Sequence, residues 1–248
     1  MKKTRLFLQQ PKLFLSQQIA ITASDLPIDF NYLANVMRSK VGDEIYIFNG
    51  LDGEFKAKII AIAKKQLTLE ITSKTNELKV ASNITLAFAL VKSQTLATIA
   101  TKATELGIAR FQPLITQHTI SDKISFEKFI PNIKEACEQC ERNDFAEILS
   151  TKKLEDYITE NDFSQKIIVL CDESDKGLKA SLTLFELLKN SSNKEIVVMV
   201  GPEGGFAESE FEKLRQLKNV TAISLGNTIL RCDTAIIVAI GLVKEFIS

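Results

Sequence analysis

Two short stretches in the C-terminal fifth of the chain carry the residue types that build small-molecule sites. Residues 200–206 read VGPEGGF, placing three glycines, a proline and Glu203 directly after the apolar run EIVVM. Residues 225–235 read LGNTILRCDTA, with Gly226 and Asn227 leading and Arg231 standing just before a helical run. Glycine at such points admits positive φ and lets a ligand approach the backbone with no Cβ in the way. Neither stretch is a phosphate cradle, because the G-x-G-x-x-G spacing is missing and no Gly-Lys-Ser/Thr follows. A carboxylate beside a di- or triphosphate repels it unless a metal intervenes. Exposed amides with one carboxylate suit a neutral or cationic ligand bearing hydroxyl or amino groups instead. Arg231 adds a cation beside apolar Ile229 and Leu230, which either serves a ligand or stacks on the domain surface.

The other reactive side chains promise less. Cys137 and Cys140 form a C-x-x-C without a second ligand pair, so no metal is expected. His118, the single histidine, has no serine-type triad around it and reads as a loop residue. Cys232 precedes a helix start, a place that lowers a thiol pKa. Four cysteines in 248 residues do not form a disulfide framework, and a reducing, cytoplasmic setting is expected.

The elements that must position the two loops alternate. From residue 83 onward, ITLAFALV, ARFQPLI, KIIVLCD, EIVVMV and VTAISLG read as strands that are apolar throughout. Between and after them TLATIATKATEL, FEKFIPNIKEACEQCE, SLTLFELLKN, EFEKLRQLK and TAIIVAIGLVKEF read as helices. That alternation predicts a parallel sheet covered on both faces, with ligands held where loops leave the carboxyl ends of the strands. Both glycine stretches sit at such ends. Residues 1–75 read differently, as the short strands TRLFL, QQIAITA, DEIYIF, EFKAKIIAIA and QLTLEI with one helical interruption at FNYLANVMRSK. There the spacing places Phe30, Leu33, Val36 and Met37 on one face, and a small β-barrel is expected. TSKTNELKVAS, polar and turn-rich, is the natural linker. Net charge is zero, which excludes wholesale coating of nucleic acid, but residues 1–75 carry 11 Lys/Arg against 7 Asp/Glu, a local +4. No run of about 18 apolar residues spans a membrane.

Together the loops resemble the signature of the 16S ribosomal RNA uracil-N3 methyltransferases, SPOUT-class enzymes that use S-adenosylmethionine. NYLANVMRSKVGDEIYIFNG, LVKSQTLATIATKATELGIARFQPLIT and EACEQCERN are similar to further segments of that family. Asp233, Thr228, Asn31 and Glu141 depart from it, standing where Glu, a cation, His and Gly are usual. The resemblance implies a PUA-like β-barrel RNA-binding domain over 1–73. It further implies an α/β SPOUT methyltransferase domain over 74–248, with a deep trefoil knot and a homodimer packed through it. It implies cofactor contacts at Leu170, Gly201, Glu203, Gly204, Gly205, Leu225, Gly226, Ile229, Leu230, Arg231 and Thr234. RNA contacts are expected at Arg38, Lys92, Lys102 and Arg142. The expected partner is small-subunit ribosomal RNA or the assembled small subunit. A related methyltransferase acting on another RNA such as tRNA, and a non-catalytic RNA-binding protein of the same fold, remain open alternatives.

Methyl transfer to a uracil nitrogen is an in-line displacement, in which alignment supplies much of the acceleration. The imide proton must also leave. Either a general base takes it or a cation stabilises the charge left on the uracil oxygens. Arg231 is the candidate for the second role. Glu203 is the candidate base, or else binds amino or hydroxyl groups of the cofactor.

Overall fold

The computed structural model describes residues 3–119, 126–172, 178–189 and 194–247, and the chain divides into two compact units. One comprises Met1–Val80 with Cys137–Phe145, the other Ala81–Ala136 with Ala146–Ser248.

In the first unit, alternating apolar and polar residues make five strands: β1 (Arg5–Phe7), β2 (Gln18–Thr22), β3 (Glu44–Phe48), β4 (Glu54–Ala63) and β5 (Gln66–Asn76). They form one sheet in the order β1-β3-β4-β5-β2, in which only the β1–β3 ladder is parallel. The period of two sends Ile45 and Ile47, Phe55, Ala57 and Ile59, and Leu67, Leu69 and Ile71 into one core. Between β2 and β3 lie a short helix, α1 (Pro27–Asn31), and a π-helical turn over Tyr32–Val36. Phe30 and Leu33 pack on the core as their spacing predicts, whereas Val36 and Met37 are 63% and 45% exposed. The Met37 N–H donates to the Tyr32 carbonyl, a five-residue step. That wider turn breaks the 3.6-residue period and swings the last two side chains outward.

The segment Cys137–Phe145 completes this unit, which no local pattern in the sequence announces. Buried Arg5 pairs with Glu54 at 2.7 Å, and its Nη atoms donate to the carbonyls of Cys137 at 2.7 Å and Arg142 at 3.1 Å. Phe7 stacks on Phe145 with centroids 4.4 Å apart. A buried guanidinium is tolerated only with a counter-charge and several acceptors, and Arg5 has both. Burial alone would raise the Glu54 carboxyl, but hydrogen bonds from Arg5, Thr75 and Asn76, with the Arg5 charge, hold it below the usual range.

The second unit holds β6 (Ile84–Ala89), β7 (Arg110–Ile115), β8 (Glu147–Ile148), β9 (Lys152–Lys153), β10 (Lys166–Cys171), β11 (Leu178–Lys179), β12 (Glu195–Val200) and β13 (Val220–Ser224). The sheet runs β11-β13-β10-β12-β6-β7-β8, β9 also pairs with β7, and every ladder is parallel. The central strands β6, β10 and β12 are buried almost end to end, as the apolar runs require. The helices are α2 (Ser93–Glu105), α3 (Phe126–Gln139, whose residues from Cys137 belong to the first unit), α4 (Leu154–Glu160), α5 (Ala180–Leu188), α6 (Glu208–Arg215) and α7 (Cys232–Ile247). Side chains of α4 and α6 join Ala87, Leu170, Val197 and Met199 in one core layer, while α7 packs against α2, α5 and β12. The α/β class with a parallel sheet agrees with the alternation of the sequence; β8, β9 and α4, short and polar, gave it no signal. Among the described residues no helix is long and apolar enough to cross a membrane.

Candidate active site

The carboxyl ends of β10, β12 and β13 lie side by side, and the loops leaving them enclose a cavity of about 400 Å³. That is the size range of pockets for small organic ligands. One wall is the first glycine loop, through Gly201, Pro202, Gly205 and Phe206; the facing wall is the second, from Leu225 to Leu230. Cys171, Asp172, Val200, Phe211 and Ala235 complete it.

Each wall has a local reason for its course. Gly205 has φ +69° and Gly226 +134°, backbone that L side chains adopt only with strain. Gly201 is needed for a different reason, since a Cβ there would lie 3.1 Å from the Phe206 ring and 3.3 Å from its nitrogen. Phe206 is buried and meets Phe211 edge-on at 5.4 Å, which fixes the apolar side of the cavity. Behind it, the buried carboxylate of Asp172 is paired with Arg215, whose guanidinium lies over the Phe211 ring at 5.1 Å. Among the described residues no lysine or arginine lines the cavity, so a polyphosphate would find no counter-charge there.

The second loop ends on α7. The Ala235 N–H donates to the Arg231 carbonyl at 2.8 Å, so the helix begins at Cys232, three residues before the start near Ala235 that the sequence suggests. Asp233 sits in its first turn and accepts the Thr234 N–H at 3.0 Å. The Arg231 side chain is 70% exposed, with its Nε 3.7 Å from the Asp233 carboxylate. It stands outside the cavity wall, lightly held and open to a large substrate.

The expected cofactor residues therefore fall into two groups. Gly201, Gly205, Leu225, Gly226, Ile229 and Leu230 line the cavity. Glu203, Gly204 and Arg231 lie on the same loops and Thr234 in the first turn of α7, but none of them is in its wall. Glu203 is exposed, and its carboxylate has no hydrogen bond or ion pair among the described residues. Leu170 has its side chain fully buried in the core layer that includes Met199 and Phe206, and at this strand end Cys171 and the following Asp172 line the cavity. Cys232 is buried, and burial pushes the Cys137 thiol up to about 12, which removes it from nucleophilic chemistry.

Of the expected RNA contacts, Arg38 and Lys92 are exposed and Lys102 pairs with Glu105 at 2.8 Å. Arg142 is different. It is buried in the first unit and bonds Asp144 through two nitrogens at 2.7 and 2.9 Å, so it has no face for a phosphate. Nothing in the sequence points to His118 at this site. Its Nδ1 lies 3.1 Å from the carbonyl oxygens of both Gly204 and Gly205. It follows β7, which β6 separates from β12, so its proximity depends on a strand order that no sequence pattern states.

The chain matches the family described as RNA methyltransferase domain over residues 76–244, and the RNA methyltransferase PUA domain over residues 29–72. It is 36% identical over 214 residues to the ribosomal RNA small subunit methyltransferase E of Rickettsia conorii, covering 86% of this chain and 85% of that one. It is 28% identical to the Bacillus subtilis protein of the same name, with 87% of each covered. Among solved structures, a Legionella pneumophila methyltransferase with bound cofactor SAM superposes with a TM-score of 0.82 at 26% identity, over 99% of this chain and 98% of that one. The Neisseria gonorrhoeae ribosomal RNA small subunit methyltransferase E has the same fold, with a TM-score of 0.83 at 23% identity over 98% and 97%. With its parallel sheet, its glycine-walled cavity and this likeness along nearly its whole length, the chain belongs to the RNA methyltransferase family of the ribosomal RNA small subunit methyltransferase E proteins.

Proposed function

We propose that this chain methylates N3 of a uridine in small-subunit ribosomal RNA, with S-adenosylmethionine as donor. The observation that carries this reading is the cavity between the two glycine loops, apolar and free of lysine or arginine among the described residues. It suits a ligand with an adenine ring, ribose hydroxyls and a cationic sulfur, and offers nothing to grip a triphosphate. Bound S-adenosylmethionine supplies a methyl group activated by its positive sulfur. Phe206, Leu225, Ile229 and Leu230 give apolar surface for the rings, and Gly201, Gly205 and Gly226 bring backbone without a Cβ to the wall. In this reading Arg231, exposed beyond the wall, stabilises the charge left on a uracil oxygen as N3 loses its proton. Glu203, exposed and unpaired among the described residues, is available as proton acceptor or as partner to a ligand amino group.

The reading extends to RNA contacts at Arg38, Lys92 and Lys102, a homodimer, a knotted path in the second unit and a cytoplasmic location, all supported by the family likeness. Binding through these cations should weaken as salt rises. The direct test incubates the protein with labelled S-adenosylmethionine and small subunits, or bare RNA, from cells lacking the modification, and maps the labelled base. Label on N3 of one small-subunit uridine is expected. Label confined to tRNA would move the assignment to another RNA, and label in no uridine would end it.

A further inference from the structure

The loop that follows β7 touches the first glycine loop through two independent polar contacts. Glu210, in the first turn of α6, accepts the Gln117 N–H at 2.8 Å with one carboxylate oxygen and the Ala207 N–H at 2.9 Å with the other. One carboxylate thus ties residue 117 to the residue that opens α6. His118 makes the second tie, its Nδ1 lying 3.1 Å from the Gly204 and Gly205 carbonyl oxygens. A carbonyl oxygen only accepts, so Nδ1 must carry the hydrogen and donate to both. The imidazole also lies against Gly204, where a Cβ would stand 3.4 Å from the Cβ of His118. The loop itself is fixed, since the Thr119 hydroxyl accepts the Thr116 N–H at 2.8 Å.

These ties act on a turn closed by the Gly205 N–H, which donates to the Pro202 carbonyl at 2.8 Å. Gly204 and Gly205 carry no side chains, Gly205 is in the left-handed region, and Glu203 has no side-chain partner among the described residues. Yet Gly201, Gly205 and Phe206 form one wall of the cavity. A glycine-rich loop left alone samples many conformations, and ordering it on ligand binding costs affinity. We propose that His118 is a positioning residue for the donor cofactor: by donating to the Gly204 and Gly205 carbonyls it holds the glycine loop in its ligand-ready course. Glu210 fixes the adjoining Ala207 end of the same loop. This rests on the donor-site assignment made above, and its test has an arm that needs no cofactor.

Three variants separate hydrogen bonding from bulk: His118→Ala, His118→Leu and His118→Asn, the last placing an amide N–H near the position of Nδ1. His118 is exposed, so none of them opens the core. In the ligand-free protein, amide exchange at Gly204–Phe206 should quicken about five- to tenfold in the Ala and Leu variants, the size expected for one lost hydrogen bond. The Asn variant should return to within about twofold of the parent. By calorimetry, the Kd for S-adenosylmethionine should rise by a similar factor in Ala and Leu and be rescued in Asn, while kcat at saturating cofactor stays within about twofold. Unchanged exchange in His118→Ala would overturn the positioning role, as would an Asn variant no better than Leu, which would mean that ring packing alone matters. If exchange responds as expected but the parent protein binds no S-adenosylmethionine, the brace stands and the donor assignment falls.

Discussion

At the scale of single residues, exposure separates Glu203 and Arg231, on the glycine loops, from Asp172, the charged residue that lines the cavity. Asp172 is buried and already neutralised by Arg215, so it shapes the wall rather than serving as a free charge. Arg231 is the opposite: 70% exposed, its nearest carboxylate 3.7 Å away, and outside the wall. An exposed pair of that kind is worth little to stability. Arg231→Ala should therefore leave melting and cofactor affinity nearly unchanged. If its charge stabilises the uracil anion, turnover should fall about 100- to 1,000-fold, as for loss of one preorganised electrostatic donor. Single-turnover rates with saturating donor read this directly, and a rate within about threefold of the parent would remove Arg231 from the chemistry. The arginine was visible in the sequence as a cation before a helix start. That it meets no carboxylate but Asp233 among the described residues was not, because pairing depends on residues brought close only by folding.

At the scale of elements, the three glycines of VGPEGGF look equivalent in the sequence and are not. Gly205 is required by its φ of +69°, and Gly201 by the Phe206 ring 3.1 Å from where a Cβ would stand. Gly204 has neither constraint, and its nearest neighbour beyond the adjoining residues is His118 at ordinary contact distance. Gly201→Ala should push on Phe206, which is buried and held edge-on by Phe211, and so distort one cavity wall. We expect S-adenosylmethionine affinity to drop about tenfold with a stability loss of about 1–3 kcal/mol, the usual range for overpacking. Calorimetry and thermal melting on the same variant check both, and affinity equal to the parent would show that Phe206 can yield. The strands and loops of the second unit were legible because uninterrupted apolar runs and glycine at their ends are local signals. The widened turn at Tyr32–Val36 was not, since nothing in FNYLANVMRSK distinguishes a five-residue hydrogen bond from the usual step. The strand end is likewise clear in KIIVLCD, but that the Leu170 side chain turns to the core while Cys171 and Asp172 line the cavity depends on the layer covering it.

At the scale of the whole molecule, the chain leaves the first unit, builds part of the second, and returns through Cys137–Phe145 before completing it. A cut between residues 73 and 74, where the polar linker suggests one, takes no account of that return. The buried pair Arg5–Glu54 depends on the returning segment for the carbonyls of Cys137 and Arg142. Because the Glu54 carboxyl is held below its ordinary range, its contribution is fully present above the unfolded value of about 4.3 and is lost as pH falls through the folded one. At pH 7, Glu54→Gln should cost about 3–5 kcal/mol, the penalty for leaving a buried charge unpaired. The gap between parent and variant melting curves should narrow from pH 5 down to pH 3; a constant gap would refute the linkage. The returning segment predicts the behaviour of fragments too. Residues 1–80 alone keep Ile45, Ile47, Phe55 and the rest of their core, but lose the carbonyls bonded to Arg5 and the Phe145 ring stacked on Phe7. A buried guanidinium stripped of acceptors costs about 1–3 kcal/mol for each unmet group, a large share of the stability of a unit this small. The fragment 1–80 should therefore melt lower and less cooperatively than the same fragment with residues 137–145 joined through a flexible linker. Equal melting of the two would show that the first unit folds without the returning segment and that Arg5 finds other partners.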